Sequence, residues 1–211
     1  MYKAIIIKLL LLVFIATNAQ TEKLPTALKN HAAVYKDELD KYFYNASVYF
    51  INFNDKLATV EIKKAIEFIN IEISQSDERA KIVLDPIIAD LDKLVIDLGL
   101  NNLQNIYPLK SSFAKAHHKL ARFYCNKAIS LYNSNSIYGS ILYLNAASSY
   151  LVYGAKWAGF EPKKGMRSTR VAINNATLAI HNREEIILKD YKKLLDYIDS
   201  EIKRFGNLIN L

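Results

Sequence analysis

The chain has 211 residues, with 28 Lys and Arg against 21 Asp and Glu, a formal net charge of +7 and a single cysteine. One cysteine excludes an intramolecular disulfide, and a chain of this size builds one core or a short helical array rather than several independent domains. Only six glycines and four prolines interrupt it, about half the share of an average protein, which is the composition of an all-α chain.

Residues 1–19 have the pattern of an export signal. Lys3 and Lys8 supply a positive end, residues 9–16 are uninterruptedly apolar, and Thr17-Asn18-Ala19 places small residues before a cut ahead of Gln20. An eight-residue run is far short of the roughly 20 that a membrane anchor needs. The expected mature chain, residues 20–211, is a single all-α domain with net charge +5, periplasmic or secreted. Outside the cytoplasm such a charge meets protein, anionic lipid head groups or acidic polysaccharide rather than nucleic acid.

From residue 28 to 53, Leu28, Ala32, Tyr35, Leu39, Tyr42, Ala46, Tyr49 and Phe53 recur at steps of three and four and predict one buried helical face. The aromatic stretch 42–53 would suit a strand in isolation, but its asparagines and the surrounding period favour helix. Asn54-Asp55 is a turn and N-cap, after which Ala58, Ile62, Ala65, Ile69 and Ile73 form a second stripe. Ala80, Leu84, Ile87, Leu91, Leu94 and Leu98 form a third, closed by Gly99. Pro86 inside that third helix is expected to kink it or split off its first turn.

Residues 100–108 are read as a polar connection, followed by a helix opened by Phe113, Ala116, Leu120 and Phe123 and ending near Asn133. The segment 137–158 carries no charge from Ile137 to Ala155. Ser140, Asn145, Ser148, Ser149 and four tyrosines make it a central helix surrounded by neighbours rather than a membrane span. A loop at 159–165 then leads to a helical region from about Ser168 that runs on unbroken or bends near residues 181–183. Its last part, Leu188, Tyr191, Leu195, Ile198, Ile202, Phe205 and Ile209, has a coiled-coil-like rhythm, read as an internal packing face before a dimer seam. About six helices in antiparallel hairpins, as a bundle or short solenoid, are expected.

An offset of 81 residues superposes Leu39 on Leu120, Tyr42 on Phe123, Phe43 on Tyr124, Asn54 on Asn135, Ala58 on Gly139 and Ala65 on Ala146, a pseudo-repeat of helix, asparagine turn and helix. In the first copy Tyr42, Ala46, Tyr49, Ala58, Ile62 and Ala65 stand at spacings that resemble a tetratricopeptide hairpin. The resemblance implies a helical scaffold that binds proteins or peptides, and carries over no site residue. In the second copy Lys127 and Ser130 depart from the pattern.

For chemistry, His117 and His118 are the metal-ligand candidates, but adjacent residues on a helix diverge by about 100°, so a core or boundary position is the favoured reading. Cys125, following Phe123 and Tyr124, reads as a small buried apolar residue. No phosphate-binding loop, nucleophile elbow or metalloprotease helix is present, so no catalytic residue and no cofactor is indicated. The acidic pairs Asp37-Glu38, Asp77-Glu78 and Glu184-Glu185 suit solvated helix starts. The most localised charge is at 156–170, where Lys156, Lys163, Lys164, Arg167 and Arg170 face only Glu161, with Trp157 and Phe160 among them. As a loop with exposed rings it would hold an anionic surface or partner; with Trp157 folded inward it is a solvated connection. The expected function is an exported, non-enzymatic binding or scaffold protein, with a bundle that holds a small ligand or metal between its Tyr- and His-bearing helices as the alternative.

Overall fold

The computed structural model describes residues 36–76, 78–161, 164–181 and 188–210. The expected export signal at 1–19, the stripe positions Leu28, Ala32 and Tyr35, the acidic residues Asp77, Glu184 and Glu185, and His31, Pro162 and Lys163 lie outside the described residues; of Lys164, His181 and Leu188 only the backbone is described. Seven helices are present among the described residues: α1 (Lys36–Ile51), α2 (Asp55–Ser74), α3 (Glu78–Gly99), α4 (Tyr107–Asn133), α5 (Ile137–Trp157), α6 (Lys164–His181) and α7 (Leu188–Leu208). This is one more than the periodicity suggests, because the C-terminal region divides into α6 and α7.

Each helix packs on the next from α1 to α7, and the chain then closes on itself through contacts of α1 with α4 and α5 and of α7 with α4 and α5. The pair α4–α5 is therefore shared: α1, α2 and α3 complete a bundle on one side of it, and α6 and α7 on the other. An open solenoid would lack these long-range closures.

Three stripes fold as their spacing predicts. Ala58, Ile62, Ala65 and Ile69 of α2 are fully buried, Ala80, Leu84, Ile87, Leu91, Leu94 and Leu98 are the buried residues of α3, and Tyr191, Leu195, Ile198, Ile202 and Phe205 of α7 are at most 3% exposed. Burying an aliphatic or Phe side chain contributes about 1.5–3 kcal/mol, so the α7 face is used inside the chain rather than kept for a dimer. α5, uncharged from Ile137 to Ala155, lies between the two bundles, and its buried serines find hydrogen-bond partners. Ser140 Oγ donates to the Ala128 carbonyl at 2.6 Å, and Ser148 and Ser149 donate to the Asn145 carbonyl at 2.9 and 3.1 Å. Among the described residues no helix is long and apolar enough to cross a membrane. Small residues let α5 approach its neighbours closely: a Cβ on Gly154 would stand 2.9 Å from the Phe205 ring and 3.2 Å from the Ala114 carbonyl.

Several expectations are corrected. α3 runs unbroken through the exposed Pro86, so its first turn is not split off. α4 begins at Tyr107 rather than near Phe113, because Pro108 stands at the helix start, where a missing N–H is harmless. In α1 the buried aromatic is Phe43, fully covered, while Phe53 leaves the stripe altogether and is 96% exposed.

Phe53 is displaced by the way the helix ends. The Phe53 N–H bonds the Phe50 carbonyl at 3.0 Å and the Asn54 N–H bonds the Tyr49 carbonyl at 2.9 Å, a Schellman closure with Phe53 in the left-handed region at φ 57°. The Asn54 side chain then caps α2 by accepting from the Leu57 N–H at 3.2 Å. The same closure ends α3 at Asn101, α4 at Asn135 and α5 at Gly159, with φ of 53°, 62° and 75°, so Asn101 and not the expected Gly99 takes the left-handed position after α3. Between the α1–α2 and α4–α5 turns the bonded positions correspond at an offset of 82, Phe53 to Asn135 and Asn54 to Ser136, one residue beyond the 81 of the sequence match. Because α3 and α5 end in the same way, the closure does not single out the two hairpins.

Candidate functional site

His117 and His118 do not converge. His117, from α4, is fully buried with its ring edge-on to Phe43 at 5.3 Å and beside Tyr150 and Tyr153. Its Nε2 lies 3.3 Å from Oδ1 of Asp40 on α1, outside good hydrogen-bond alignment, and Nδ1 has no partner among the described residues. Burial pushes its pKa down against the opposing pull of Asp40, which leaves the ring neutral at neutral pH. Asp40 Oδ1 also accepts the indole N–H of Trp157 at 2.7 Å. Burial raises the Asp40 pKa, but His117, the indole donor and the Lys156 charge outweigh it and hold the carboxyl below its usual value. Asp37 accepts the Tyr153 hydroxyl. Two carboxylates of α1, one turn apart, thus fasten it to the C-terminal half of α5.

His118 faces the other bundle. Its Nε2 donates to the Ile202 carbonyl of α7 at 3.0 Å and its ring meets Phe205 edge-on. Gly206 lies directly beneath, since a Cβ there would stand 2.8 Å from Nε2. Both histidines bridge helices. Among the described residues no three His, Cys, Asp or Glu side chains come together to hold a metal ion. Cys125 is buried, and its thiol is pushed up to about 12 by that burial, so it packs as an apolar group. Tyr124 is stacked between Tyr143 and Tyr150, and its hydroxyl bonds the buried Glu72. Burial raises the Tyr124 and Tyr150 pKa values, so both hydroxyls stay protonated.

The basic segment 156–170 is two helix ends rather than one loop. Lys156 and Trp157 close α5, while Lys164, Arg167 and Arg170 belong to α6. Trp157 is half-buried with its ring edge on Phe113 at 5.1 Å, and of the two aromatics Phe160, 40% exposed, is the more open to solvent. Arg167 reaches toward Glu161 at 3.7 Å, both exposed. The structure therefore divides the sequence-predicted set: Lys156 and Trp157 share a site, Arg167 and Arg170 lie further along α6, and the side chains of Lys163 and Lys164 are not described.

What Lys156 and Trp157 share is a hollow of about 400 Å³ at the end of the molecule. α4 contributes Tyr107, Lys110 and Ser111 to its wall, the α5 ending contributes Lys156, Trp157 and Phe160, and the end of α7 contributes Leu208 and Asn210. Neither Lys110 nor Lys156 forms an ion pair among the described residues, and both are exposed. Sequence reasoning missed Lys110 because it stands 46 residues before Lys156 in what reads as the edge of a connection. A second depression, a cleft of about 200 Å³, lies on the other side of Phe160 and Leu208, lined mainly by Leu151, Val152, Ala155, Met166 and Phe205. No known protein family, curated protein or solved structure matches this chain.

Proposed function

We propose that this chain is exported and works as a non-enzymatic helical binding protein whose working surface is the end of the molecule around Lys110 and Lys156. The observation that carries this reading is the pairing of two ammonium groups, neither in an ion pair among the described residues, with the exposed rings of Tyr107 and Phe160 around one hollow. Folding accounts for little of it: the Lys156 charge acts on Asp40 without forming an ion pair with it, two like charges gain nothing from one another, and an anionic partner gains from both. The closed meander of hairpins supports a scaffold role, and the tetratricopeptide-like spacing of the first hairpin and the pseudo-repeat belong to the same proposal.

Two measurements test it. Mass spectrometry of the exported protein is expected to find a mature N-terminus at Gln20, and a full-length chain retained in the cell overturns the export reading. Pull-down from the exported fraction, comparing the natural protein with Lys110→Glu/Lys156→Glu, is expected to lose bound material on charge reversal. Identical recovery from both proteins removes this surface from the proposal.

A further inference from the structure

The hollow and the cleft share a wall, and their chemistries are complementary halves of one ligand. Phe160 and Leu208 line both. On one side the wall faces Lys110, Lys156, Ser111 and Asn210, a cationic and hydrogen-bonding surface. On the other it faces the side chains of Leu151, Val152, Ala155, Met166 and Phe205. The acids on the cleft side are already answered: Glu201 is held by the Arg204 guanidinium at 2.6 Å, and Glu161 stands 3.7 Å from Arg167. The lining cations that form no ion pair among the described residues, Lys110 and Lys156, therefore lie on the hollow side alone.

We infer that the two depressions form a single site for a small anionic amphiphile, a carboxylate or phosphate head seated between Lys110 and Lys156 and a short apolar tail passing the Phe160–Leu208 wall into the cleft. This rests on the proposed binding role of this end of the molecule and names its ligand class. Size sets the tail: a cavity of about 150 Å³ suffices for a benzene-sized group, and the cleft offers about 200 Å³, so one ring or one short alkyl chain is accommodated and a two-chain membrane lipid is not. Head and tail contribute separately, the head by charge and the tail by removing apolar surface from water.

Trp157 is the only tryptophan in the chain and lines the hollow, so its emission reports occupancy directly. The full-length mature protein would be titrated, below micelle-forming concentrations, with octyl phosphate, octanoate, octyl glucoside and inorganic phosphate. Saturable emission changes are expected for octyl phosphate or octanoate, with the neutral amphiphile and the bare anion weaker by roughly tenfold or more; the two anionic probes separate phosphate from carboxylate heads. Lys110→Glu/Lys156→Glu is expected to abolish that preference over octyl glucoside, and Ala155→Phe, which fills the cleft, to abolish the preference over inorganic phosphate. Leu208→Glu, at an exposed position, serves should the Ala155 variant fail to melt cooperatively, and is expected to weaken the anionic amphiphiles. Equal binding of octyl glucoside and octyl phosphate overturns the role of the hollow, and equal binding of inorganic and octyl phosphate overturns the role of the cleft. Binding to phosphatidylglycerol vesicles without binding of any monomeric probe overturns the short-tail site. Should no probe bind while charge reversal still changes the pull-down, the ligand class is wrong and the broader binding role stands; should both fail, the broader role falls too.

Discussion

Charged groups sit beside aromatic rings in two parts of this molecule, the seam between α1 and α4–α5 and the end around Lys110 and Lys156. In the seam Asp40 is met by His117 and by the Trp157 indole, and Asp37 by Tyr153, each from another helix. At the end, Lys110 and Lys156 line a hollow and form no ion pair among the described residues. Trp157 belongs to both, its indole N–H turned to Asp40 and its ring lining the hollow. The contrast separates groups that hold the fold together from groups left available to something outside it, and variants on the two sides should divide in the same way.

The largest effect is expected deep in the seam. Phe113 is fully buried, stacked on Phe43 at 4.1 Å and touching Trp157 edge-on. Phe113→Ala should lower the unfolding free energy by about 3–5 kcal/mol, read as a shifted midpoint in urea denaturation. A loss near zero would mean that the seam does not hold the fold together. Asp40→Ala strips the partner from the half-buried indole N–H and from the buried His117 and should cost about 1–3 kcal/mol by the same measurement.

Acid should weaken the seam in a defined window. The His117 and His118 pKa values are both lowered from 6.5, in each case by burial first. Below 6.5 the unfolded chain therefore binds protons that the folded chain does not, so stability is full above that value and falls as pH drops through it. Asp40, also lowered, adds a further loss only below its ordinary value of 3.8. Thermal melts should show a lower Tm at about pH 5.5 than at about pH 7.5, and His117→Phe should shrink the difference. An unchanged difference in that variant would place the proton uptake elsewhere.

A smaller effect, of opposite sign, is expected at Phe53. Asn101, Asn135 and Gly159 occupy the same left-handed position in the other three closures, and Phe53 is the bulky exception. A β-carbon-bearing residue pays about 1–2 kcal/mol there, less for Asn, and the exposed ring recovers nothing by burial. Phe53→Asn should thus raise stability by about 1 kcal/mol, or about 2–4 °C in Tm. The smallest effect on stability belongs to the other half of the comparison. Lys110→Glu/Lys156→Glu should stay within about 0.5 kcal/mol of the natural protein while altering binding. A large destabilisation would mean that these lysines serve the fold after all.

Local periodicity made much of the architecture readable. Helix formation is governed by neighbours three and four residues apart, so the stripes of α2, α3 and α7 appear in the sequence with most of the apolar residues that are buried, although the buried Glu61, Glu72 and Glu201 do not. The Asn54 cap and the turn at 134–136 were readable for the same reason, since side-chain capping and helix closure act over a few residues. Less readable were choices made between elements. Phe43 and Tyr42 both fit a helical face, and only packing against Phe113 and His117 decides that Phe43 turns inward. Asp37-Glu38 has the look of a solvated helix start, yet Asp37 is bound to Tyr153, 116 residues away.

By itself the sequence determined an all-helical chain without disulfide support, its main apolar faces and a basic cluster near residue 160. Tertiary structure alone decided that α1 and α7 close on α4–α5, that Asp40 meets His117 and Trp157, and that Lys110 comes to lie beside Lys156 around a hollow backed by an apolar cleft. The physical reason is range: helix signals are written within one or two turns, whereas a site assembled from three helix ends depends on how whole helices rotate and stack to bury their faces, which no short stretch of sequence contains.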